Sequence, residues 1–168
     1  MGTIVRSLEM TSPGQLRPGR QAPASLDVQE VGPNDAASLG SIYRRIGAPL
    51  GWVGRMRWSD ARWRRELVGR GVRAWLVLIE GDVAGMIELE AAPDGDVGIV
   101  ILGLVPERIG QGFGGSLLTI ATELAWTLPG PDGQPTRRVW VQTSSADHAH
   151  ALPNYQARGF RVFAIEGA

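Results

Sequence analysis

The sequence predicts an α/β domain built on one sheet, partly antiparallel and covered by helices on both faces. Three observations carry this. The apolar spacing changes from helical stripes before residue 70 to strand-like runs after it. Two turn signals, Gly81-Asp82 and Pro93-Asp94-Gly95, separate three successive runs into a meander. The third run, Val97 to Val105 (VGIVILGLV), is almost wholly apolar, as a strand buried on both faces would be.

The elements follow in order. Residues 1–22 (MGTIVRSLEMTSPGQLRPGRQA) mix Gly, Pro, Arg and Ser without period, which predicts a flexible N-terminal arm. The domain proper is then expected over 23–168, with no internal repeat. Ala24 to Val31 alternates weakly and reads as a strand. Pro33-Asn34-Asp35 caps a helix whose stripe is Leu39, Ile42, Tyr43 and Ile46, and Gly47 and Pro49 stop it. Ser59 and Asp60 open a second helix carrying Trp63 and Leu67; Gly69 and Gly71 end it. Arg73 to Glu80 and Val83 to Glu90 are hairpin strands, followed by Val97 to Val105. Phe113 to Leu128 is a helix with Leu117, Ala121, Leu124 and Leu128 on one stripe, ended by Pro129. After the loop PGPDGQP come a strand, Arg138 to Thr143, a helix, Ala149 to Arg158, and a last strand, Phe160 to Ile165.

Composition narrows the function. The 17 basic residues balance 17 acidic ones, so no overall field favours nucleic acid. All of the basic residues are Arg. Without cysteine there is no thiol nucleophile, disulfide or Cys-ligated metal. His148 and His150 lie two apart, not at the four-residue spacing of a helical zinc pair, and no metal is expected. No apolar run approaches the roughly 20 residues of a membrane span, and the N-terminus lacks the apolar centre of a signal peptide. The expectation is a cytoplasmic protein with no membrane or nucleic-acid partner.

The segment PERIGQGFGGSLL, residues 106–118, concentrates Gly110, Gly112, Gly114 and Gly115 between the central strand and a long helix. Amides at a helix N-terminus lack intrahelical acceptors and carry partial positive charge. Glycines let an anionic group come close to them, so a phosphate or pyrophosphate is the fitting ligand. The run matches G-x-G-x-x-G literally. The dinucleotide fingerprint, however, follows the first strand of a parallel βαβ unit and has an acid about 20 positions on. Here the run follows a meander, and Asp132 lies in a Gly/Pro loop. A P-loop needs a Lys, and the chain has none.

These residues resemble the GCN5-related N-acetyltransferases, which use acetyl-CoA. That family's motif runs from a strand through a proline and an acidic residue into Q/R-x-x-G-x-G/A. Here Pro106-Glu107 leads into Ile109-Gly110-Gln111-Gly112-Phe113-Gly114. Residues 151–160, ALPNYQARGF, are similar to the family's A-x-x-L-Y-x-x-x-G-F, and the resemblance runs from Arg73 to the end of the chain. It implies a single domain with a mixed, mostly antiparallel sheet of about six to seven strands, splayed into a cofactor cleft. It implies that the backbone of Leu102, Gly103 and Leu104 pairs with the pantetheine arm, with Gly103 at a bulge where the strands part. Gly110, Gln111, Gly112, Phe113, Gly114 and Gly115 would hold the pyrophosphate through their amides. Tyr155 would contact the CoA sulfur and act as general acid. His148 stands where the family often has Asn, at the cofactor end of the last helix. Ile109 replaces the usual Gln or Arg, with Arg108 one place earlier. Pro153 and Asn154 stand directly before Tyr155, and a proline there fits a helix that starts late.

Acetyl transfer needs a neutral amine, whereas a lysine-like amine has a pKa of about 10.4. A base must take its proton, an acid must serve the departing thiolate, and backbone donors must hold the oxyanion. Many relatives carry a Glu on the central strand; here Gly98 is near that place. Glu88 and Glu90 share a face of the preceding strand. Glu88 is the expected relay if that face meets the cleft, and otherwise the pair is a solvated sheet edge. His148 is the other candidate.

Gly51 to Arg73 carries seven Arg and three Trp against Asp60 and Glu66. The resemblance puts this segment beside the acceptor, where Arg and Trp suit an acidic or planar group. A solvated Arg face over buried Trp is the plainer reading. The expected function is an acetyl-CoA-dependent N-acetyltransferase acting on a primary amine of a small molecule or protein. The alternative is a non-catalytic acyl-CoA-binding regulator, favoured by the missing strand Glu and by Ile109. A nicotinamide-dependent reductase is a third reading. A homodimer is compatible with each.

Overall fold

The computed structural model describes residues 2–167. Along the chain come β1 (Val5–Met10), β2 (Leu26–Val31), α1 (Ala36–Gly47), α2 (Asp60–Leu67), β3 (Val72–Ile79), β4 (Asp82–Ala91), β5 (Asp96–Leu104), α3 (Gly114–Thr127), β6 (Arg138–Ser144), α4 (Ala151–Ala157) and β7 (Arg161–Glu166). The seven strands form one sheet in the order β2-β3-β4-β5-β6-β1-β7. Neighbours are antiparallel except β5 and β6, which run parallel. This is the mixed, mostly antiparallel α/β sheet that the sequence leads one to expect.

The meander forms where the turn chemistry dictates. Glu80 and Gly81 have φ of 52° and 85°, and Ile79 pairs with Asp82 across them. Two positive φ values in succession make the hairpin turn that matches strand twist. The turn therefore centres on Glu80-Gly81, one residue before the Gly81-Asp82 read from sequence. Ala74–Val77 on β3 and Ala84–Leu89 on β4 are buried without interruption, because helices cover both faces of the central strands. α1 packs on β4, and α3 packs on β5 and β6. Helix α4 starts at Ala151, two residues later than Ala149, so Pro153 falls in its first turn. Amides there have no intrahelical acceptor, and the missing N–H costs nothing. No helix among the described residues is long and apolar enough to cross a membrane.

The N-terminal expectation needs correction. Residues 5–10 are not part of a flexible arm but a strand inserted between β6 and β7. Leu8 and Met10 are fully buried. Glu9 holds Arg138 at 2.6 Å on one neighbouring strand and Arg161 at 3.3 Å on the other. The residues that follow are docked as well. The Gly19 amide donates to Thr119 Oγ1 at 2.9 Å, and Ser116 Oγ donates to the Arg20 carbonyl at 2.7 Å. A six-residue strand is outweighed in composition by the Gly, Pro and Arg of its own tail. Leu8→Ala is expected to cost about 2–5 kcal/mol and to lower Tm by roughly 4–20 °C. A thermal melt checks this; a loose arm would leave Tm unchanged.

Candidate active site

β5 and β6 pair only from Asp96–Ile99 to Arg138–Val141, and beyond that point they part. A bulge accompanies the parting. Glu88 of β4 faces Ile101 and Leu89 faces Ile99, so Val100 is the extra residue. The bulge was expected at Gly103, and its place is Val100 instead. Gly103 has another reason to lack a side chain: a Cβ there would lie 2.6 Å from Ile46 Cγ2 and 3.4 Å from the Trp52 ring. The parted strands, the start of α3 and the start of α4 enclose a cleft of about 520 Å³. Leu102, Gly103 and Leu104 line it from β5, and among the described residues no strand pairs with the β5 edge facing it.

The glycine segment forms one end of the cleft. Gly110 and Gly112 have φ of 76° and 93°, which swings the chain from β5 into α3 in a way that residues with side chains resist. The first α3 bond runs from the Leu117 amide to the Phe113 carbonyl at 2.9 Å, and among the described residues the amides from Gly110 to Ser116 donate to no backbone carbonyl. They form a row of unmatched donors at a helix start. Gly110, Gly112, Gly114 and Gly115 line the cleft. The side chains of Gln111 and Phe113 do not. Phe113 packs into the core, and exposed Gln111 donates to the Glu107 carbonyl at 2.8 Å. A Cβ on Gly115 would meet an Arg158 guanidinium nitrogen at 2.6 Å. Arg158 donates to the Arg17 carbonyl and to Asn154 Oδ1, and has no carboxylate partner among the described residues. Its charge adds to that of the amides.

Helix α4 supplies the opposite wall. Asn154 Nδ2 donates to the Gly114 carbonyl at 3.0 Å and ties α4 to the start of α3. Tyr155 follows it, buried against Phe160 with ring centroids 6.1 Å apart, and lines the cleft. Burial, helped by the negative charge of Asp147, pushes its phenol well above the ordinary value. The group is therefore a neutral O–H at any physiological pH. His148 lines the cleft before α4, its Nδ1 accepting from the His150 amide at 3.2 Å.

Glu88 is elsewhere. Its side chain is fully buried, and both oxygens accept from Arg55, at 2.9 Å each. It does not line the cleft, and the expectation of a proton relay is corrected accordingly. The reason lies in the loop after α1. That loop delivers Arg55 onto β4, where it also stacks over Trp58 at 4.4 Å and Trp63 at 5.2 Å and approaches Glu66 at 3.6 Å. Burial pushes the Glu88 carboxyl up, and Arg55 pulls against it. Buried Trp63 and exposed Arg62, Arg64 and Arg65 follow the plainer reading of the Arg/Trp segment, whereas Arg55 departs from it by turning inward onto Glu88. Glu88→Gln is expected to cost about 3 kcal/mol by breaking a buried pair and to leave the pH dependence of any turnover unmoved. A shifted pH–rate profile would return Glu88 to the chemistry.

Three contributors, Asp147, Asn154 and Arg158, escaped the sequence reading, and Trp52 was placed beside the acceptor there only as one of three Trp. Trp52 and Asp147 meet across the cleft, Trp52 Nε1 donating to Asp147 Oδ1 at 3.1 Å. Asn154 and Arg158 brace the glycine segment. Both flank Tyr155 in the ALPNYQARGF stretch, so their positions were visible there, but their partners were not.

No protein-family model matches the chain, and no curated protein matches it in sequence. Solved structures do match it in shape. A GCN5-related N-acetyltransferase from Sphaerobacter thermophilus superposes with a TM-score of 0.71 at 15% identity, over 97% of this chain and 49% of that one. Another, from Kribbella flavida, gives a TM-score of 0.65 at 18% identity, over 98% and 58%. The chain has the fold of the GCN5-related N-acetyltransferases. An aminoglycoside acetyltransferase from an uncultured soil metagenomic sample, solved with sisomicin, gives 0.62 at 17% identity over 79% of this chain and 86% of that one. The chain spans only about half to three fifths of the length of the first two of these N-acetyltransferases.

Proposed function

We propose that the protein is an acetyl-CoA-dependent N-acetyltransferase acting on a primary amine. The observation that carries this is the row of unmatched amides from Gly110 to Ser116 at the end of a cleft between parting strands. A diphosphate suits those donors and the neighbouring Arg158 charge. The free edge of β5 at Leu102–Leu104 suits the amide-bearing pantetheine arm, and the thioester then lies toward Tyr155.

The reaction joins the amine nitrogen to the acetyl carbon while the carbon–sulfur bond breaks. A thiol has a reference pKa of about 8.5 and a phenol about 10. With the Tyr155 value raised further, full proton transfer to sulfur is uphill. Tyr155 therefore acts as a hydrogen-bond donor to the sulfur as negative charge develops there. The proton that ends on CoA is the one lost by the nitrogen, passed through water in the cleft, which His148 and His150 line. The support from fold comes from the likeness to acetyltransferase structures, and the aminoglycoside enzyme among them acts on a small amine-bearing molecule.

Release of CoA thiol from acetyl-CoA, followed over a panel of primary amines, tests the proposal. Amine-dependent release supports it. Tight acetyl-CoA binding with no release on any amine would favour the acyl-CoA-binding regulator, and protection by NADPH instead of acetyl-CoA would favour a reductase.

A further inference from the structure

One negative charge stands in the cleft without a cationic partner. Among the described residues Asp147 is the sole carboxylate lining it; the other titratable side chains there are His148, His150 and Tyr155, with no Arg. Its Oδ2 accepts from Thr143 Oγ1 at 2.9 Å and from the Ser144 amide at 2.8 Å, and its Oδ1 accepts from Trp52 Nε1. All three donors are neutral. None of the ion pairs among the described residues involves Asp147. By contrast the buried carboxylate of β4, Glu88, is matched with an arginine, Arg55.

Trp52 is placed with equal specificity. It leaves the loop after α1, rests on Gly103 and reaches the loop between β6 and α4. Its bond to Asp147 is the only hydrogen bond joining those two loops among the described residues. An indole ring and a carboxylate are thus held side by side at the cleft. An aromatic face attracts a cation, and a carboxylate pairs with one. The neighbouring lining is hydrocarbon, from Ile46 and Leu50.

We propose that Asp147 and Trp52 are the acceptor-recognition pair and that they hold an ammonium group. This rests on the acetyl-transfer reading above. An ammonium paired with a carboxylate keeps its proton and has no lone pair for attack. The reacting nitrogen is therefore a second amino group of the same molecule, so the acceptor class is an aliphatic diamine or polyamine. One nitrogen stays charged on Asp147. The other, neutral, forms the bond to the acetyl carbon as CoA departs, and its surplus proton goes to the sulfur through solvent.

The test compares 1,4-diaminobutane with butylamine, which has the same carbon chain and one amine. Binding to the CoA-loaded protein is measured by calorimetry, and turnover of acetyl-CoA by thiol release. The wild-type protein is expected to prefer the diamine at least tenfold. Asp147→Asn is expected to reduce the preference to within twofold and to leave acetyl-CoA affinity unchanged. Trp52→Leu is expected to weaken diamine binding about threefold, a cation–π loss, and serves if the Asn variant does not fold. Equal treatment of the two amines by the wild-type protein, or a preference that survives Asp147→Asn, overturns the assignment. Thiol release without diamine preference overturns the recognition pair and leaves the transferase reading standing. Diamine binding that depends on Asp147, without thiol release, supports the pair and removes the transfer reaction.

Discussion

Gly114→Asp is expected to abolish acetyl-CoA binding while the protein stays folded. Gly114 opens α3 and is not among the positive-φ glycines. A Cβ there would find Asn154 Nδ2 at 3.6 Å, an ordinary contact. A carboxylate in the first turn of a helix is favoured by about 0.3–1 kcal/mol, so the fold gains from the change. The ligand loses by it twice: the new carboxylate competes for the unmatched amides and repels the diphosphate. A weakening of 100-fold or more in Kd is expected, about 2.7 kcal/mol or above. Gly110 and Gly112 are poorer places for this substitution, because their left-handed backbone would add strain and confuse lost binding with lost structure. Calorimetry beside a thermal melt separates the two. Wild-type affinity in a folded variant would put the diphosphate elsewhere.

Tyr155→Phe is expected to lower kcat by about 100-fold, the scale of removing one donor from a developing negative charge. Acetyl-CoA affinity is expected to stay within about threefold, since the phenyl ring preserves the packing against Phe160. The hydroxyl makes no hydrogen bond to a described residue, so its removal orphans nothing. Single-turnover kinetics give the relevant rate. The raised phenol value has a consequence for pH. Tyr155 stays protonated through the alkaline range where an amine acceptor becomes neutral, so turnover is expected to rise with pH across that range without a Tyr155-dependent fall. Equal rates for both proteins would take Tyr155 out of the mechanism.

The sheet was legible because its central hairpins carry period and turn chemistry together. RAWLVLIE, the Glu-Gly corner and VAGMIELE agree with one another at every level. The α3 entry was legible because four glycines in six residues have little structural use outside a close backbone approach. β1 was not legible. Its two inward side chains, Leu8 and Met10, gain their meaning only from β6 and β7, which lie more than 125 residues away in the chain. No local pattern records a partner so distant. The same holds for the interior of the site. Glu88 looked available because it sits on a strand near the cleft, and its capture by Arg55 depends on the path of the loop after α1. Trp52 was one of three similar tryptophans in sequence. Two of them pack with Arg55, and only the fold separates the third, which crosses to Asp147. Spacing located the elements, whereas the pairing of charges across them had to come from tertiary structure.

Hydrogen exchange of the backbone amides, with and without acetyl-CoA, tests the central claim most directly. The amides of Gly110–Ser116 and the free edge of β5 at Leu102–Leu104 are expected to gain protection on adding the ligand, with little change on β2 or β7. Acetyl-CoA binding that leaves those two segments exchanging as before would contradict the assignment of this cleft as the coenzyme site.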